Sequence, residues 1–513
     1  MSRPGRRTKC TASLLLLLFS LLSGKARAAA RAGDYMGINQ WVDYWDNEHM
    51  LCADTARVAS WIRWYTYMMW NSSRKGEFSF SPTLVSPFDF DDWFGKWHAA
   101  GLKVDLSLFR PSAYCSSYMS NGNLGRDPGK YPPCGGTRGL EPADYGDYSE
   151  WVAQLVARYG SAVPPPEKLL TQDRKAGLGV VDAIEIWNEP NYSQEWGSWR
   201  HDSCPRDRGN WCATDVAQYT ACLKAAYGRA KEADPGMHVT GGVTGGFDER
   251  YFSDIKAGGG LASMDGINVH VYLGREQTTG PGHQPEYEDA LRRFCLAVTR
   301  WRDANAPGKP VWLTEFGYDA HEEKKRPPTF IGTTLSEQAN YLIRSFVIAA
   351  EHLDRVFWFI AADEIAGQGK TQFQNCGIVH AYGERNAAAG REEAPGVLPK
   401  KAYWYMAMLK REIGGLDYAA TLKYDDNGIY ACWFRDPGGR GGVIVAWAAN
   451  AKNRTDSGFK KPGAVLVLPF ASPACVLVKP VAGSYTGART RLKRTGNSVT
   501  VNLSETPVFL ELY

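Results

Sequence analysis

Between residue 34 and about residue 410, short β-rich runs alternate with amphipathic stretches, and few folds accept that rhythm. The runs Tyr35–Gln40, Trp61–Tyr65, Lys103–Phe109, Ala183–Trp187, His238–Val243, Gly266–Tyr272, Val311–Phe316 and Val356–Ile360 read as strands. Helical patterns over Phe90–Ala100, Asp144–Tyr159, Thr214–Ala233, Glu286–Ala304, Leu335–Glu351 and Lys400–Ile413 occupy much of the connecting chain. Ala233-Asp234-Pro235 and Ala306-Pro307-Gly308 carry the punctuation that ends helices. Eight strands, each followed by a crossover, is the count of an α/β fold of the (β/α)8 TIM-barrel type. A doubly wound open sheet is the rival architecture.

The rhythm changes after about residue 414. Gly428–Phe434, Gly442–Ala448, Ala464–Leu468, Val476–Pro480, Ser498–Leu503 and Pro507–Leu512 are short β-prone runs between Gly, Pro and Asp clusters. They predict a C-terminal β-sandwich domain over 414–513, behind a catalytic barrel over 29–413.

Residues 1–28 read as a signal peptide. Arg3, Arg6, Arg7 and Lys9 precede an apolar run, Leu14 to Leu22, too short to span a bilayer, and Ala26-Arg27-Ala28 fits a cleavage site. The expected mature chain is therefore secreted, extracellular or periplasmic, with no membrane association. That segment holds six basic and no acidic side chains, so its removal takes the formal net charge from +4 to −2. No basic stripe remains to argue for nucleic acid.

Of eleven Cys, Cys10 leaves with the signal, and the even remainder permits disulfides in an exported protein. Cys204 with Cys212, and Cys115 with Cys134, are the preferred pairs, while Cys222 and Cys295 sit in apolar helical patterns as buried thiols. The Cys and His spacings match no zinc template, so neither metal nor cofactor is expected. Asn71, Asn191, Asn453 and Asn502 open N-x-S/T sequons.

Two expected strand ends carry a glutamate in a telling setting, Ile186-Trp187-Asn188-Glu189-Pro190-Asn191 and Trp312-Leu313-Thr314-Glu315-Phe316-Gly317. Chemistry in a barrel sits where strands end at their C-terminal side. Cleaving an acetal needs a proton donor at the leaving oxygen and an anion facing the developing oxocarbenium ion. One carboxyl must be neutral and the other ionised, which closeness and unlike surroundings arrange. Taken singly, either glutamate is as readily a salt-bridge partner or a helix cap. Glu185, on the same strand face as Glu189, is expected deeper in the barrel and hydrogen-bonded.

These two motifs resemble the signatures of clan A glycoside hydrolases, and their spelling is most similar to family 39 or the nearby family 5. The resemblance covers roughly residues 34–410. It implies a retaining β-glycosidase with Glu189 as acid/base, Glu315 as nucleophile and Asn188 on the sugar 2-hydroxyl. It further implies Arg63 as support for the nucleophile, and His270 or Tyr272 as its hydrogen-bond partner. Trp358 would be the aromatic floor under the sugar. The Cys-bearing loop from Arg110 to Asp144 and the loop from Tyr192 to Asp215 depart from the family pattern, which leaves the substrate open.

The chain holds 18 Trp and 26 Tyr, and many fall just after expected strands: Trp41, Tyr44 and Trp45; Trp64, Tyr65, Tyr67 and Trp70; Trp196 and Trp199. Rings stack on sugar faces, and a ring-lined groove favours internal cleavage of a polysaccharide; the same rings equally well fill gaps between loops and barrel. Trp41 and Trp196 are the substrate-binding candidates. The expected partner is a β-linked glycan, acted on by a monomer. The alternatives are an exo-acting, xylosidase-like β-glycosidase and a catalytically silent carbohydrate-binding barrel, which would ordinarily lack one of the two carboxylates. A metal-dependent hydrolase needs His and Asp clusters at strand ends, and only His270 among nine His stands at one.

Overall fold

The computed structural model describes residues 32–40, 52–84, 89–109, 145–191, 216–273, 287–364, 369–380, 398–424, 429–439, 441–448, 454–455, 458–459, 464–469, 475–496 and 498–512. The expected disulfide pairs, Trp41 and Trp196 lie outside them. Eight strands pair in parallel in chain order: β1 (Met36–Gln40), β2 (Trp61–Tyr67), β3 (Lys103–Phe109), β4 (Ala183–Ile186), β5 (His238–Gly245), β6 (Gly266–His270), β7 (Val311–Phe316) and β8 (Arg355–Trp358). Strand β8 returns to β1 through Met36↔Val356, Gly37↔Phe357 and Ile38↔Trp358, so the sheet closes and the open-sheet rival is excluded. Three expected strands end early, β4 by one residue at Ile186. Strand β6 stops at His270, which leaves Tyr272 on the following loop, and β8 stops at Trp358.

Inside the barrel the lining changes character along the strands. Near the N-terminal ends, Trp61, Ala183, Trp312 and Phe357 form a dry plug, with the Trp61 and Trp312 rings 5.3 Å apart. Gly37 makes room for it, since a Cβ there would fall 2.2 Å from the Phe357 ring. Towards the C-terminal ends, Asn39, Arg63, Asp105, Glu185, Asn268 and Thr314 are all fully buried. A buried polar layer survives only if its members satisfy one another. The barrel therefore closes on apolar packing below and on hydrogen bonds above.

The helices Phe90–Ala99, Tyr145–Tyr159, Val216–Ala233, Tyr287–Asn305, Leu335–Ala349 and Lys401–Ile413 start and stop within two residues of their expected ends. Leu335–Ala349 begins in a capping box, in which Thr334 accepts from the Glu337 N–H while Glu337 accepts from the Thr334 N–H. No helix among the described residues is long and apolar enough to cross a membrane. Cys222 and Cys295 are buried in their helices. Asn71 and Asn191, the first two sequons, are also buried, which keeps a glycan off both in the folded chain.

Beyond the last helix the chain forms antiparallel sheet. Strands β9 (Asp417–Tyr424), β10 (Ile429–Arg435), β11 (Gly442–Ala448), β15 (Cys475–Lys479), β16 (Ala488–Arg491) and β18 (Val508–Leu512) make a six-stranded sheet in the order β16-β15-β18-β11-β10-β9. Strands β14 (Ala464–Pro469) and β17 (Ser498–Leu503) pair separately, as do the two-residue strands β12 (Arg454–Thr455) and β13 (Gly458–Phe459). Side chains alternate across the larger sheet with period two. Ile429, Ala431, Ile444, Ala446 and Leu510 meet Leu466, Leu468, Val499 and Val501 of the β14–β17 pair, giving the sandwich. Tyr430, Cys432, Phe434, Val445, Trp447 and Phe509 point the other way and join the barrel's own core. Tyr430 and Trp447, opposite each other on β10 and β11, stack at 5.0 Å and 3°.

Where β7 ends, the backbone runs hard against β8, and a Cβ on Gly317 would fall 2.1 Å from the Phe359 carbonyl oxygen. Gly317→Ala should therefore cost roughly 1–3 kcal/mol and lower the thermal midpoint. An unchanged midpoint would show that the strands separate freely there.

Candidate active site

Glu189 is set by the turn that ends β4. Trp187 and Glu189 take φ of 73° and 46°, in the left-handed region that side chains other than glycine seldom adopt. The turn is pinned to β5. The Glu189 N–H donates to the Val243 carbonyl at 2.8 Å, and the Asn191 amide exchanges two bonds of 2.9 Å with the Gly245 backbone. Glu315 stands one residue before the end of β7, 5% exposed. A carboxylate oxygen of Glu189 and one of Glu315 lie within 4.8 Å of each other, and both lie within that distance of a His270 ring nitrogen.

Arg63, on β2 and wholly buried, holds the nucleophile candidate from below. Its Nη1 donates to Glu315 Oε1 at 2.8 Å and to Asn39 Oδ1 at 2.8 Å. Its Nε and Nη2 grip Glu185 Oε2 at 2.8 and 2.6 Å, and Nη2 reaches Asn188 Oδ1 at 3.1 Å. Two phenols complete the cage around Glu315, with the Tyr65 hydroxyl on Oε1 and the Tyr272 hydroxyl on Oε2 at 2.8 Å. Glu185 is fully buried beneath and also accepts from Asn268 Nδ2.

The hydrogen bonds fix the histidine tautomer. Thr314 Oγ1 donates its one proton to Asn268 Oδ1 at 2.5 Å, because the Asn268 amide already donates to Glu185. Thr314 Oγ1 can then only accept from His270 Nε2, 3.2 Å away. Nε2 carries the hydrogen, and in the neutral ring Nδ1 is left as an acceptor 3.0 Å from Glu189 Oε1. A protonated Glu189 can donate to that lone pair.

The two carboxyls are pushed apart in acidity. Burial raises the Glu189 pKa above the usual carboxylate value, its interaction with His270 opposes the rise, and the nearby Glu315 charge adds to it. Burial acts the same way on Glu315, but His270, Arg63 and the Tyr65 and Tyr272 hydroxyls together outweigh it and leave the pKa lowered. Between those values Glu189 holds a proton and Glu315 a charge. Asp105, opposite Arg63 in the β2–β3 register, is also fully buried. Burial and the neighbouring Glu185 drive its carboxyl pKa far above the usual range, which favours the neutral form.

The structure brings Glu189, Glu315, Asn188, Arg63, His270 and Tyr272 into one cluster. His270 lies closer to Glu189 than to Glu315, at 3.0 against 3.5 Å, so between the two candidates Tyr272 is the hydroxyl partner of Glu315. Trp358 differs from expectation. It has no exposed surface, its Nε1 donates to the Cys376 carbonyl at 3.0 Å, and Phe316 packs edge-on at 5.2 Å. A sugar floor needs an open face, and this ring is packed as core. Trp64, Tyr67 and Trp70 are core as well. Sequence reading missed Tyr65 as a partner of Glu315, and missed Asp105, Asn268 and Thr314. The signal was there in part, since Tyr65 is two residues past Arg63 and so on its strand face.

No protein-family model and no curated protein matches this chain. Solved structures do. A family 39 glycoside hydrolase from the gut symbiont Bacteroides cellulosilyticus WH2 superposes with a TM-score of 0.63 at 16% identity, over 94% of this chain and 81% of that one. A monomeric β-xylosidase from Caulobacter crescentus CB15 gives 0.55 at 15%, over 95% and 98%. A family 30 endoxylanase from Clostridium papyrosolvens C71 gives 0.52 at 12%, over 94% and 98%. At such identities the likeness establishes the fold, a (β/α)8 barrel with a β-domain, and the first of these is from the family that the two motifs resemble.

Tyr272→Phe removes a hydrogen bond to the charged form of Glu315 and should raise its pKa. The acid limb of the kcat/KM profile should move up by about one unit, while the alkaline limb stays. An unmoved acid limb would separate Tyr272 from the titration of Glu315.

Proposed function

We propose that this chain is a secreted retaining glycoside hydrolase that cleaves β-glycosidic bonds of poly- or oligosaccharides by double displacement. One observation carries the reading: two carboxyls with oxygens within 4.8 Å of each other, Glu315 buried and Glu189 partly exposed, with pKa values displaced in opposite directions. Retaining glycosidases keep their carboxyls roughly 5–5.5 Å apart, whereas inverting ones need roughly 6.5–9.5 Å to admit a water. The gap in this barrel suits the first.

In the first step Glu189 gives its proton to the leaving oxygen as Glu315 attacks the anomeric carbon. The glycosidic C–O bond breaks and a glycosyl ester forms on Glu315. Glu189, now ionised, takes a proton from water, whose oxygen attacks the anomeric carbon and releases Glu315. His270 Nδ1 faces Glu189, and in the neutral ring its lone pair orients the acid proton before transfer. Asn188, held by Arg63, is the proposed contact for the sugar 2-hydroxyl. The signal-like segment supports export.

Endo and exo action are harder to separate. The expected ring-lined groove loses Trp64, Tyr67 and Trp70 to the core, and the rings left to support internal cleavage, Trp41, Tyr44, Trp45, Trp196 and Trp199, lie outside the described residues. Structures of this architecture include both an endoxylanase and a β-xylosidase. A silent sugar-binding barrel fits poorly, because both carboxyls and their supports are in place.

A screen of β-glucans, xylans, mannans and galactans with product sizes read out should find turnover and assign the mode of action. Glu189→Ala should slow natural substrates by about 10²–10⁴-fold and spare aryl glycosides whose leaving groups need no proton. Equal losses on both would remove Glu189 as the acid. Glu315→Gly should lose turnover, and azide should restore it on an activated substrate with inverted configuration. Rescue with retention would remove the covalent route.

A further inference from the structure

Away from the two glutamates, the loops after β7 and β8 bring together three side chains that glycoside cleavage does not use. His321 follows β7, Asp363 follows β8, and His380 closes the next described segment. One ligand atom from each lies within 4.8 Å of the other two. Asp363 is fully buried, and the His380 side chain is 18% exposed. We propose that His321, Asp363 and His380 bind a divalent transition-metal ion of the zinc class, which clasps the β7 and β8 loops beside the active site.

The geometry favours an ion over a direct pair. His380 Nδ1 and Asp363 Oδ2 stand 3.8 Å apart, too far for a hydrogen bond. Two ligands bound to a tetrahedral ion at about 2.0–2.1 Å keep roughly 3.4 Å between them, so His380 and Asp363 need only a small contraction and His321 closes from within 4.8 Å. The imidazole rings meet edge-to-face at 5.7 Å and 89°, which keeps them from stacking over each other's nitrogens. Two imidazoles and a carboxylate suit zinc, copper or nickel better than calcium or magnesium, which prefer all-oxygen shells. The partly exposed histidines leave a side for water as fourth ligand.

The carboxylate is also held as a ligand should be. Oδ1 of Asp363 accepts from Lys400 Nζ at 2.6 Å and from the Gly377 N–H at 2.9 Å, and Oδ2 is the oxygen turned to His380. Lys400 spends its other protons on the carbonyls of Ala320 at 2.5 Å and Asn375 at 3.1 Å, both in the loops the ion would join. Outer contacts of this kind orient metal ligands. The Lys400 charge also opposes a second cation, which sets this site below structural zinc sites in affinity.

The test needs no turnover. Purified protein, stripped by a chelator, is titrated with zinc chloride by calorimetry, and zinc-loaded protein is examined by X-ray absorption. One equivalent should bind, with two imidazoles in the first shell. The Glu189–His270–Glu315 cluster offers only one, so that readout tells the two places apart. His321→Gln and His380→Gln should each weaken binding by roughly tenfold or more, and zinc should raise the melting midpoint of the parent but not of the variants. No saturable binding by the parent, a shell with fewer than two imidazoles, or parent-like affinity in both variants would overturn the proposal. If the variants fail to fold, the absorption spectrum of the parent decides alone.

Discussion

A single guanidinium organises the top of this barrel. Arg63 sits where four carboxyls converge, those of Asp105, Glu185 and Glu315, which are buried, and that of Glu189, which is partly exposed. A charge taken from water into such a place survives only when paired and fully hydrogen-bonded. Arg63 meets that condition by contacting Glu185, Glu315, Asn39, Asn188 and Tyr65 at once. One cation cannot neutralise four anions, so the carboxyls divide. Glu185 and Glu315 take the guanidinium, while the carboxyl pKa values of Asp105 and Glu189 are pushed up, by burial first and by a neighbouring carboxylate as well. The separation in acidity between Glu189 and Glu315 thus follows from charge balance within a closed barrel.

Placement of Glu189 adds a second constraint. Glu189 reaches the gap because the β4 turn passes through left-handed backbone at Trp187 and at Glu189 itself, each costing on the order of 1–3 kcal/mol. Hydrogen bonds to Val243 and Gly245 on β5 hold that turn, and β5 bends to meet it through Gly242 and Val243, whose φ values are 87° and 44°. Backbone strain on one strand is answered by backbone strain on its neighbour, and a carboxyl that would otherwise follow the strand is aimed at Glu315. The same economy governs β7, where Gly317 lets the chain pass within van der Waals reach of β8.

Much of this was legible in the residues alone, for definite reasons. The eight barrel strands are β-rich runs spaced by helical periodicity, so their number and order could be read, and the two glutamates stood out because each ends such a run. Strand β9 could not be read. Asp-Tyr-Ala-Ala-Thr-Leu-Lys-Tyr has weak strand propensity and is held by pairing with β10. Trp358 was misplaced because a ring on the last strand looks the same in sequence whether it faces a cleft or the core. Tyr65 and Asp105 matter through partners on distant strands, which no local pattern marks. His321, Asp363 and His380 lie far apart in the chain and match no ligand spacing, and only the fold brings them together.

The central claim is that Glu189 and Glu315 face each other across a gap too narrow for water to attack directly. The most direct measurement is proton NMR of the first sugar released from a substrate the enzyme turns over, recorded before the anomers equilibrate. This account predicts that the β-anomer appears first from a β-linked substrate. Initial release of the α-anomer would contradict it, because inversion requires a wider separation than these two carboxyls have.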